Sequence, residues 1–397
     1  MLATGALAAG RGGVAPLTST RESYDDGVND DIRVLDLFAG AGGLSAGLHA
    51  ASTRFRTVGA VEWDQAAAAS YEATFGRGLV YAGDIKSWLR AGAVPQADVI
   101  VGGPPCQGFS SLGKQDVEDE RNMLWREYAQ TIALALPRYF IVENVAEFRK
   151  SPQYSLFAGE TERGGLLQDY GFESAVLNAA DFGAPQARRR TVVVGYHKDL
   201  GFPGFPVPTH SQKRASDNLP DHLTVSDALK RVPRRPDRDH LLEARRTTFE
   251  GREYAGAFGT RDLHWSRAYT TLSLQRFAVI PPGGNRRNLE PFPDLMAPCW
   301  VRHKSGSGDV MGRLVWDKPS VTIRTEFFKP EKGRYIHPEE HRAITHYEAA
   351  LLQGFGRDHK FVGSRTAIAR QIGNAVPVAL GAAIGHLLVN SIPAMSR

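Results

Sequence analysis

Cysteine is scarce in this sequence: Cys106 and Cys299 are the only two in 397 residues. Two cysteines cannot build a disulfide framework, and the chain has no C-x-x-C pair or Cys/His cluster of the kind that holds zinc. Long apolar runs are missing as well, since none approaches the ~18 residues that a membrane-spanning helix needs. We therefore expect a reduced, cytoplasmic protein with no metal site and no membrane partner.

Two common nucleotide-binding patterns are also absent. The glycine-rich stretch that begins at Gly40 reads GAGGLSAG, which lacks the glycine spacing of the dinucleotide fingerprint G-x-G-x-x-G. No G-x-x-x-x-G-K-[ST] phosphate loop occurs either. These absences argue against a dehydrogenase and against an NTPase.

Positive charge is concentrated in one third of the chain. Residues 186–310 carry 21 Lys and Arg against 13 Asp and Glu, whereas the rest of the chain carries 27 against 30. A localised basic excess is typical of proteins that bind a polyanion such as nucleic acid. A solvated basic face would give the same counts, so charge alone leaves both interpretations open.

Apolar runs alternate with glycine turns and helical patterns in the first half of the chain. This alternation predicts an α/β fold with an open, mostly parallel sheet. Ligands of such sheets bind beyond the carboxyl ends of the strands. The strand-like runs lie at 32–38, 56–62, 98–103, 139–144 and 190–197.

The pattern changes at both ends of this segment. The first 30 residues have a short apolar patch with no Lys or Arg before it, which favours a disordered tail over a signal peptide. From about residue 198 the chain is rich in Pro and Arg, with little periodicity, and helical patterns return after about residue 330. We predict a tail over 1–30, an α/β domain over 31–197, an inserted smaller domain over 198–330, and a return to the first domain over 331–397.

Glycines and acidic residues stand at three successive strand ends. Gly40 and Gly42 follow the first strand and allow a ligand to approach the backbone and a helix N-terminus closely. Glu62 ends the second strand, where it can accept hydrogen bonds from a ribose, and Trp63 offers a flat face to an adenine. Asp84 follows the third strand and suits an exocyclic amine. Each residue alone fits a turn or a helix cap better, but together they predict a nucleoside cofactor.

Cys106 lies in the loop GGPPCQGFS, where prolines stiffen the backbone and glycines allow close contact with a substrate. A tight turn around a small buried residue would have the same sequence. A cysteine in such a loop is nevertheless more typical of a nucleophile than of a core position. Cys299, in APCWVRH, has no comparable setting, and we expect it to pack against its neighbours.

Glu143, in VENV, ends a strand that should neighbour the strand leading to Cys106. A carboxylic acid beside a soft nucleophile suits attack on a ring carbon, with the acid at the ring nitrogen. A helix cap is the alternative role for Glu143. A cysteine hydrolase would need a histidine base instead, and none of the twelve histidines has a recognisable setting.

Six motifs follow one another along the chain: DLFAGAGG, EWD, GGPPCQGFS, VENV, QARRR and QIGNAVP. Together they resemble the DNA (cytosine-5)-methyltransferase family, of the type found in bacterial restriction-modification systems. The resemblance covers about residues 32–397. It implies the S-adenosylmethionine-dependent methyltransferase fold, a Rossmann-like sheet with an inserted, irregular target-recognition domain. It also implies methyl transfer from S-adenosyl-L-methionine to C5 of cytosine in a specific duplex DNA sequence. One departure is Gly356, since the family usually has Pro after the aromatic residue of LQGF.

The resemblance assigns roles to single residues. It implies that Cys106 attacks C6 of a cytosine flipped out of the duplex, where C6 is otherwise unreachable. Glu143 would interact with N3 and the exocyclic amine, and Arg188 and Arg190 would hold the base and Glu143. The residues implied around the cofactor are Phe38, Gly40, Gly42, Glu62, Trp63, Asp84, Ile85, Pro104 and Asn374. Those implied at the DNA are Gln107, Ser110, Thr322 and Ile323, the last two bracing the backbone beside the flipped base.

Two alternatives stay open. An RNA cytosine methyltransferase would share this chemistry, although relatives that act on transfer RNA resemble chains with a shorter recognition region and a Cys-Phe-Thr signature. A regulatory DNA-binding module would have no need of an intact Cys106 and Glu143. We expect a bacterial monomer that acts on double-stranded DNA, associates with the nucleoid when bound, and is functionally linked to a cognate restriction endonuclease.

Overall fold

In a computed structural model, the described part of the chain comprises residues 30–92, 94–105, 124–212, 218–242, 244–302 and 308–393. Residues 31–393 belong to one compact unit. The predictions for the tail and for Cys106, Gln107 and Ser110 lie outside the described residues.

Within these ranges, seven strands form the central sheet: β1 (Ile32–Leu37), β2 (Phe55–Glu62), β3 (Val80–Ala82), β4 (Val99–Gly102), β5 (Tyr139–Val145), β6 (Tyr170–Asn178) and β7 (Arg189–His197). They lie in the order β3-β2-β1-β4-β5-β7-β6. The first five strands run parallel, and β7 runs antiparallel between β5 and β6. The prediction of an α/β fold with a mostly parallel sheet is therefore confirmed. The antiparallel β7 matters for the site, because it starts at the edge where β1 to β5 end.

The helices cover both faces of the sheet and build much of the second half of the chain. Those near the sheet in sequence are α1 (Gly43–Ala51), α2 (Gln65–Phe75), α3 (Ile85–Arg90), α4 (Leu124–Ala135) and α5 (Pro152–Gly159). The later ones are α6 (Val225–Leu229), α7 (Thr271–Val279), α8 (Pro298–Arg302), α9 (His346–Leu352), α10 (Arg365–Asn374) and α11 (Val378–Ser391).

The strands are apolar because both faces of the sheet are buried, as is usual for parallel sheets. Side chains alternate between the two faces. Leu35 and Leu37 of β1 belong to one hydrophobic core with residues of α3, α4 and α5. Val34 belongs to a second core that includes Leu48 of α1 and Ile384 of α11. This double cover leaves the carboxyl ends of the strands as the place for a site.

In its described residues, the region 198–330 has elements of at most nine residues. Its strands are β8 (Arg246–Phe249), β9 (Arg252–Ala255) and β10 (Phe258–Gly259), and β10 pairs with β11 (Lys360–Phe361). Leu263 and Ile323 share a hydrophobic core with Phe355 and Ile372, so this region packs against the segment that follows it. The domain boundaries given above remain a prediction.

The prediction that Cys299 packs is wrong. Cys299 is exposed on α8, a five-residue helix with no buried residue. Its apolar neighbours in APCWVRH resemble a core sequence, but this helix buries none of its residues.

No single helix in the described ranges is long and apolar enough to cross a membrane. The pair α10 and α11 reaches that length and composition only jointly, across a 43° bend.

Candidate active site

The first strand ends in a turn whose backbone takes up left-handed conformations, which favour glycine. Phe38, Gly40 and Gly42 all have positive φ, at 56°, 57° and 84°, and Gly42 is the N-cap of α1. A Cβ atom on Gly40 would meet no other atom within 4 Å, so this turn borders open space. The sequence folds this way because glycine reaches left-handed conformations at little cost. The turn therefore fits a ligand held against the backbone.

Glu62 links the ends of β1 and β2. Its two carboxylate oxygens accept hydrogen bonds from the backbone N–H groups of Gly40 and Asp64, both at 2.7 Å. Burial raises the pKa of Glu62, and these two hydrogen bonds oppose that shift. A carboxylate oxygen can accept more than one hydrogen bond, so Glu62 keeps acceptor capacity for a ribose. Trp63 beside it is 72% exposed, which leaves its ring free to stack.

The remaining cofactor predictions fall on several elements. Asp84 is half-buried and caps α3 through the backbone N–H of Lys86, while Ile85 is buried behind it. Pro104 is buried two residues after the end of β4, and Asn374 is exposed at the end of α10. The residues of the first two strand ends fit a nucleoside cofactor, and the roles of all nine residues remain predictions.

A buried carboxyl group lies on the strand that leads into this turn. Asp36 accepts a 2.6 Å hydrogen bond from the Ser45 hydroxyl, which lies 2.8 Å from the Tyr71 hydroxyl. Burial raises the pKa of Asp36 to about 7, and the Ser45 hydrogen bond offsets part of that shift. Asp36 was not among the predicted residues, although its place at the start of DLFAGAGG was a signal.

Glu143 and Arg190 meet because of the sheet register. Val145, at the end of β5, lies opposite Arg190 at the start of the antiparallel β7. Arg190 Nε is 2.9 Å from Glu143 Oε1, and both side chains are largely buried. This ion pair lacks hydrogen-bond alignment, and Glu143 Oε1 has no hydrogen-bond partner among the described residues. Since buried polar atoms are usually paired, the carboxylate has capacity for a polar ligand.

Arg188 is buried two residues before Arg190. It donates from Nη1 to the carbonyl of Ile323 at 2.9 Å, and its Nε has no hydrogen-bond partner in the described ranges. Burial lowers the pKa of Arg188 to about 9, and the nearby charge of Arg190 contributes to that shift. Thr322 donates its hydroxyl to the carbonyl of Ala187 at 3.1 Å. The side chain of Ile323 is fully buried, so any part it takes at the DNA is one of bracing the backbone.

Asn144 ties this group to the loop that leads to Cys106. Its side-chain amide donates to the carbonyl of Pro104 at 3.0 Å, and its side-chain oxygen accepts from the backbone N–H of Val145 at 2.8 Å. A Cβ atom on Gly103 would lie 3.1 Å from Glu143 Oε2. β4 and β5 pair in parallel, as predicted. Asn144 was not among the predicted site residues, although its place in VENV was a signal.

Comparisons with known proteins identify the family of the chain. The family model of C-5 cytosine-specific DNA methylase matches residues 32–390. The chain is 32% identical to the type II methyltransferase M1.HphI of Haemophilus parahaemolyticus, over 89% of this chain and 86% of that protein. It is 31% identical to the type II methyltransferase M.NgoFVII of Neisseria gonorrhoeae, over 87% of this chain and 83% of that protein.

Solved structures share the fold. A DNA modification methyltransferase encoded within an E. coli prophage superposes with a TM-score of 0.64 at 24% identity, covering 91% of this chain and 99% of that one. The S. pombe Dnmt2 methyltransferase gives a TM-score of 0.53 at 18% identity, covering 90% and 98%. The fold is that of the S-adenosylmethionine-dependent methyltransferases, and the chain belongs to the C-5 cytosine-specific DNA methylase family.

Proposed function

We propose that this enzyme methylates C5 of a cytosine in a specific duplex DNA sequence, through a covalent bond between Cys106 and C6 of a base flipped out of the duplex. The observation that carries the proposal is the group formed by Glu143, Arg188 and Arg190 beside the Pro104 end of the cysteine loop. A carboxylate and two guanidinium groups there match the polar edge of cytosine, which presents N3, an amine and a carbonyl oxygen.

Each protein group has a chemical task. The Cys106 thiolate adds to C6, and the electrons of the C5=C6 double bond shift toward C4 and N3, where Glu143 delivers a proton to N3 and accepts a hydrogen bond from the exocyclic amine. Arg190 stabilises the carboxylate that this leaves on Glu143, with which it forms an ion pair. C5 is then nucleophilic and takes the methyl group, with S-adenosylhomocysteine as the leaving group. A base removes the C5 proton, the electrons of the C5–H bond re-form the C5=C6 bond, and the C6–S bond breaks to release the thiolate, while the N3 proton returns to Glu143. The buried setting strengthens these electrostatic contacts.

S-adenosyl-L-methionine, when bound, supplies an electrophilic methyl group. The Gly40 turn would let it approach the backbone, the Glu62 carboxylate would accept hydrogen bonds from its ribose hydroxyls, and the exposed Trp63 ring would be free to stack on its adenine. Phe38 and Gly42 would flank its methionine part. The other residues proposed to hold it are Asp84, Ile85, Pro104 and Asn374.

We extend the proposal to the role of the enzyme in the cell. The curated relatives named above are type II methyltransferases, and that class of enzyme supports a modification role beside a cognate restriction endonuclease. The basic region 198–330 would contact the duplex as a target-recognition domain, with Gln107, Ser110 and Thr322 near the flipped base. We propose that the enzyme acts in the cytoplasm as a monomer and is bound to the nucleoid while on DNA.

Nucleoside analysis tests the reaction. Purified enzyme is incubated with unmethylated plasmid DNA and methyl-labelled S-adenosylmethionine, and the nucleosides of the digested DNA are identified by mass spectrometry. We expect label in 5-methylcytosine, and bisulfite sequencing of the same DNA then gives the target sequence. Label in transfer RNA with none in DNA would contradict the proposal and favour the RNA alternative. No label in either would favour a DNA-binding module.

A further inference from the structure

We propose that Gln186 is a positioning residue for the target base, held in one orientation by Gln353. Gln186 is fully buried just before β7, and Gln353 is fully buried just after α9. They lie 167 positions apart in the sequence, and a direct hydrogen bond joins their side chains. The inference rests on the function proposed above, because it concerns how the base site is held in place.

The two side chains form a continuous chain of hydrogen bonds. Gln186 Oε1 accepts from the backbone N–H of Ile323 at 2.8 Å. Gln186 Nε2 donates to Gln353 Oε1 at 2.8 Å and to the carbonyl of Leu352 at 3.3 Å. Gln353 Nε2 donates in turn to the carbonyl of Ile372, at 2.5 Å. The chain thus runs from the segment proposed to lie beside the base to α10.

The donor-to-acceptor direction of this chain of hydrogen bonds is fixed at both ends. The Ile323 end offers only an N–H donor, and the Ile372 end offers only a carbonyl acceptor. A side-chain amide has one face that donates and one that accepts, so both glutamines have only one orientation that satisfies every partner. Reversing either amide would place two acceptors or two donors against each other in a fully buried place. Gln353 therefore acts together with the Leu352 carbonyl and the Ile323 N–H to make Gln186 present its oxygen to Ile323.

This orientation matters because residues 186–188 bind both the N–H and the carbonyl of Ile323. Gln186 binds its N–H, and Arg188 binds its carbonyl at 2.9 Å. The position of Ile323 thus sets the position of the Arg188 guanidinium, and Thr322 is fixed beside it through Ala187. Gln186 acts on the base through these groups and touches no reacting atom itself.

The test compares Gln186→Met with a matched control, Gln371→Met. Gln371 is also a buried glutamine with both ends of its amide bonded, to Ser70 and to the carbonyl of Val362. These partners lie on α2 and just after β11 rather than on the Ile323 segment. Each Met substitution keeps the length of the side chain and removes two sets of hydrogen bonds, so the two variants should lose similar thermal stability.

Two readouts separate positioning from general structure. The first is the single-turnover rate of labelled methyl transfer to unmethylated plasmid DNA at saturating concentrations. The second is the Kd for S-adenosylhomocysteine measured by calorimetry. We expect Gln186→Met to slow transfer about tenfold or more with a Kd within about twofold of wild type, since misplaced groups cost rate more than cofactor binding. Gln371→Met should stay within about threefold of wild type in rate.

The same chain of hydrogen bonds predicts that the effects of substituting Gln186 and Gln353 on the transfer rate do not add. Gln353→Met should slow transfer as well, and the double variant should be no slower than the slower single variant, since both changes break one chain. Equal slowing by Gln186→Met and Gln371→Met, no slowing by either, or a Kd that rises in step with the loss of rate would overturn the proposal. If Gln186→Met does not fold by circular dichroism, Gln186→Asn, which retracts the amide from Ile323, replaces it with the same expectations. Absence of methyl transfer by the wild type would instead refute the proposed function.

Discussion

Asn144 Nδ2 donates a 3.0 Å hydrogen bond to the carbonyl oxygen of Pro104. This bond joins the strand of Glu143 to Pro104, which lies two residues before Cys106 in the sequence. A single side chain thereby connects the strand of the proposed acid to the segment that leads toward the proposed nucleophile.

Replacing Asn144 with Leu should therefore slow methyl transfer with little effect on the cofactor. Leu has nearly the same size but cannot hold the Pro104 carbonyl, so the cysteine loop loses its anchor. We expect the single-turnover rate to fall by about tenfold to a hundredfold, because small misplacements of reacting groups have effects of that size. An unchanged rate, with an S-adenosylhomocysteine Kd like that of wild type, would show that the anchor is not needed.

Glu143→Gln should abolish most activity while preserving the fold. The amide retains the size of the side chain but loses the charge that pairs with Arg190 and the ability to protonate N3. We expect the rate of methyl transfer to fall by about 10² to 10⁴, the usual range for a general acid. Glu173→Gln, an exposed change on β6 of the same sheet, is the control and should behave as wild type. Similar rates for the two variants would remove Glu143 from the reaction.

Gly40→Ala should weaken cofactor binding more than its backbone strain explains. Gly78 is a matched control, because it also has positive φ and open space around its Cβ position. It precedes β3, so it lies at the amino ends of the parallel strands and not at their carboxyl ends. Both Ala variants should lose about 1 to 2 kcal/mol of stability, the cost of a left-handed residue with a Cβ atom. Calorimetry with S-adenosylhomocysteine should show about a tenfold weaker Kd for Gly40→Ala alone. Equal Kd values in the two variants would place the cofactor elsewhere.

Stability should fall in mild acid, in part because of His346. Its ring stacks on Trp265 and Phe328, and burial lowers its pKa to about 4. Between about pH 4 and pH 6.5, this histidine binds more protons in the unfolded chain than in the folded one. The free energy of unfolding therefore rises with pH in this window. On going from pH 7 to pH 5, this residue should lower the free energy of unfolding by on the order of 2 kcal/mol.

The measurement is denaturant unfolding at pH 5 and pH 7 for wild type and His346→Phe. Other titrating groups are shared and cancel in the comparison, so the variant should lose about 1 to 2 kcal/mol less stability on acidification. An identical loss in His346→Phe and wild type would show that His346 does not contribute.

The local features of the site could be predicted from sequence, and the long-range contacts could not. A strand that ends in glycines before a helix restricts its own geometry, which is why the turn at Gly40 and the acidic ends at Glu62 and Asp84 were recognisable. The partners of Gln186 lie 137 and 167 positions away, and no local pattern specifies such pairs. The prediction for Cys299 was wrong for a related reason, since apolar neighbours in sequence do not determine whether a five-residue helix is covered.

The strand register explains why the arginines could be identified in the sequence but not placed. QARRR indicates a basic cluster, yet the contact of Arg190 with Glu143 depends on β7 running antiparallel to β5. The direction of a strand inserted between two others is decided by the whole sheet, not by the residues of the strand.

The most direct test of the mechanism is covalent trapping on DNA that contains 5-fluorocytosine. Duplex DNA made entirely with this base needs no knowledge of the target, and fluorine at C5 cannot leave as a proton does, so a Cys106–C6 bond that forms is retained after methyl transfer. With S-adenosylmethionine present, wild type should give a protein–DNA complex that survives denaturing electrophoresis, and Cys106→Ala should give none. A stable complex with both proteins, or none with a wild type that methylates ordinary DNA, would contradict the account.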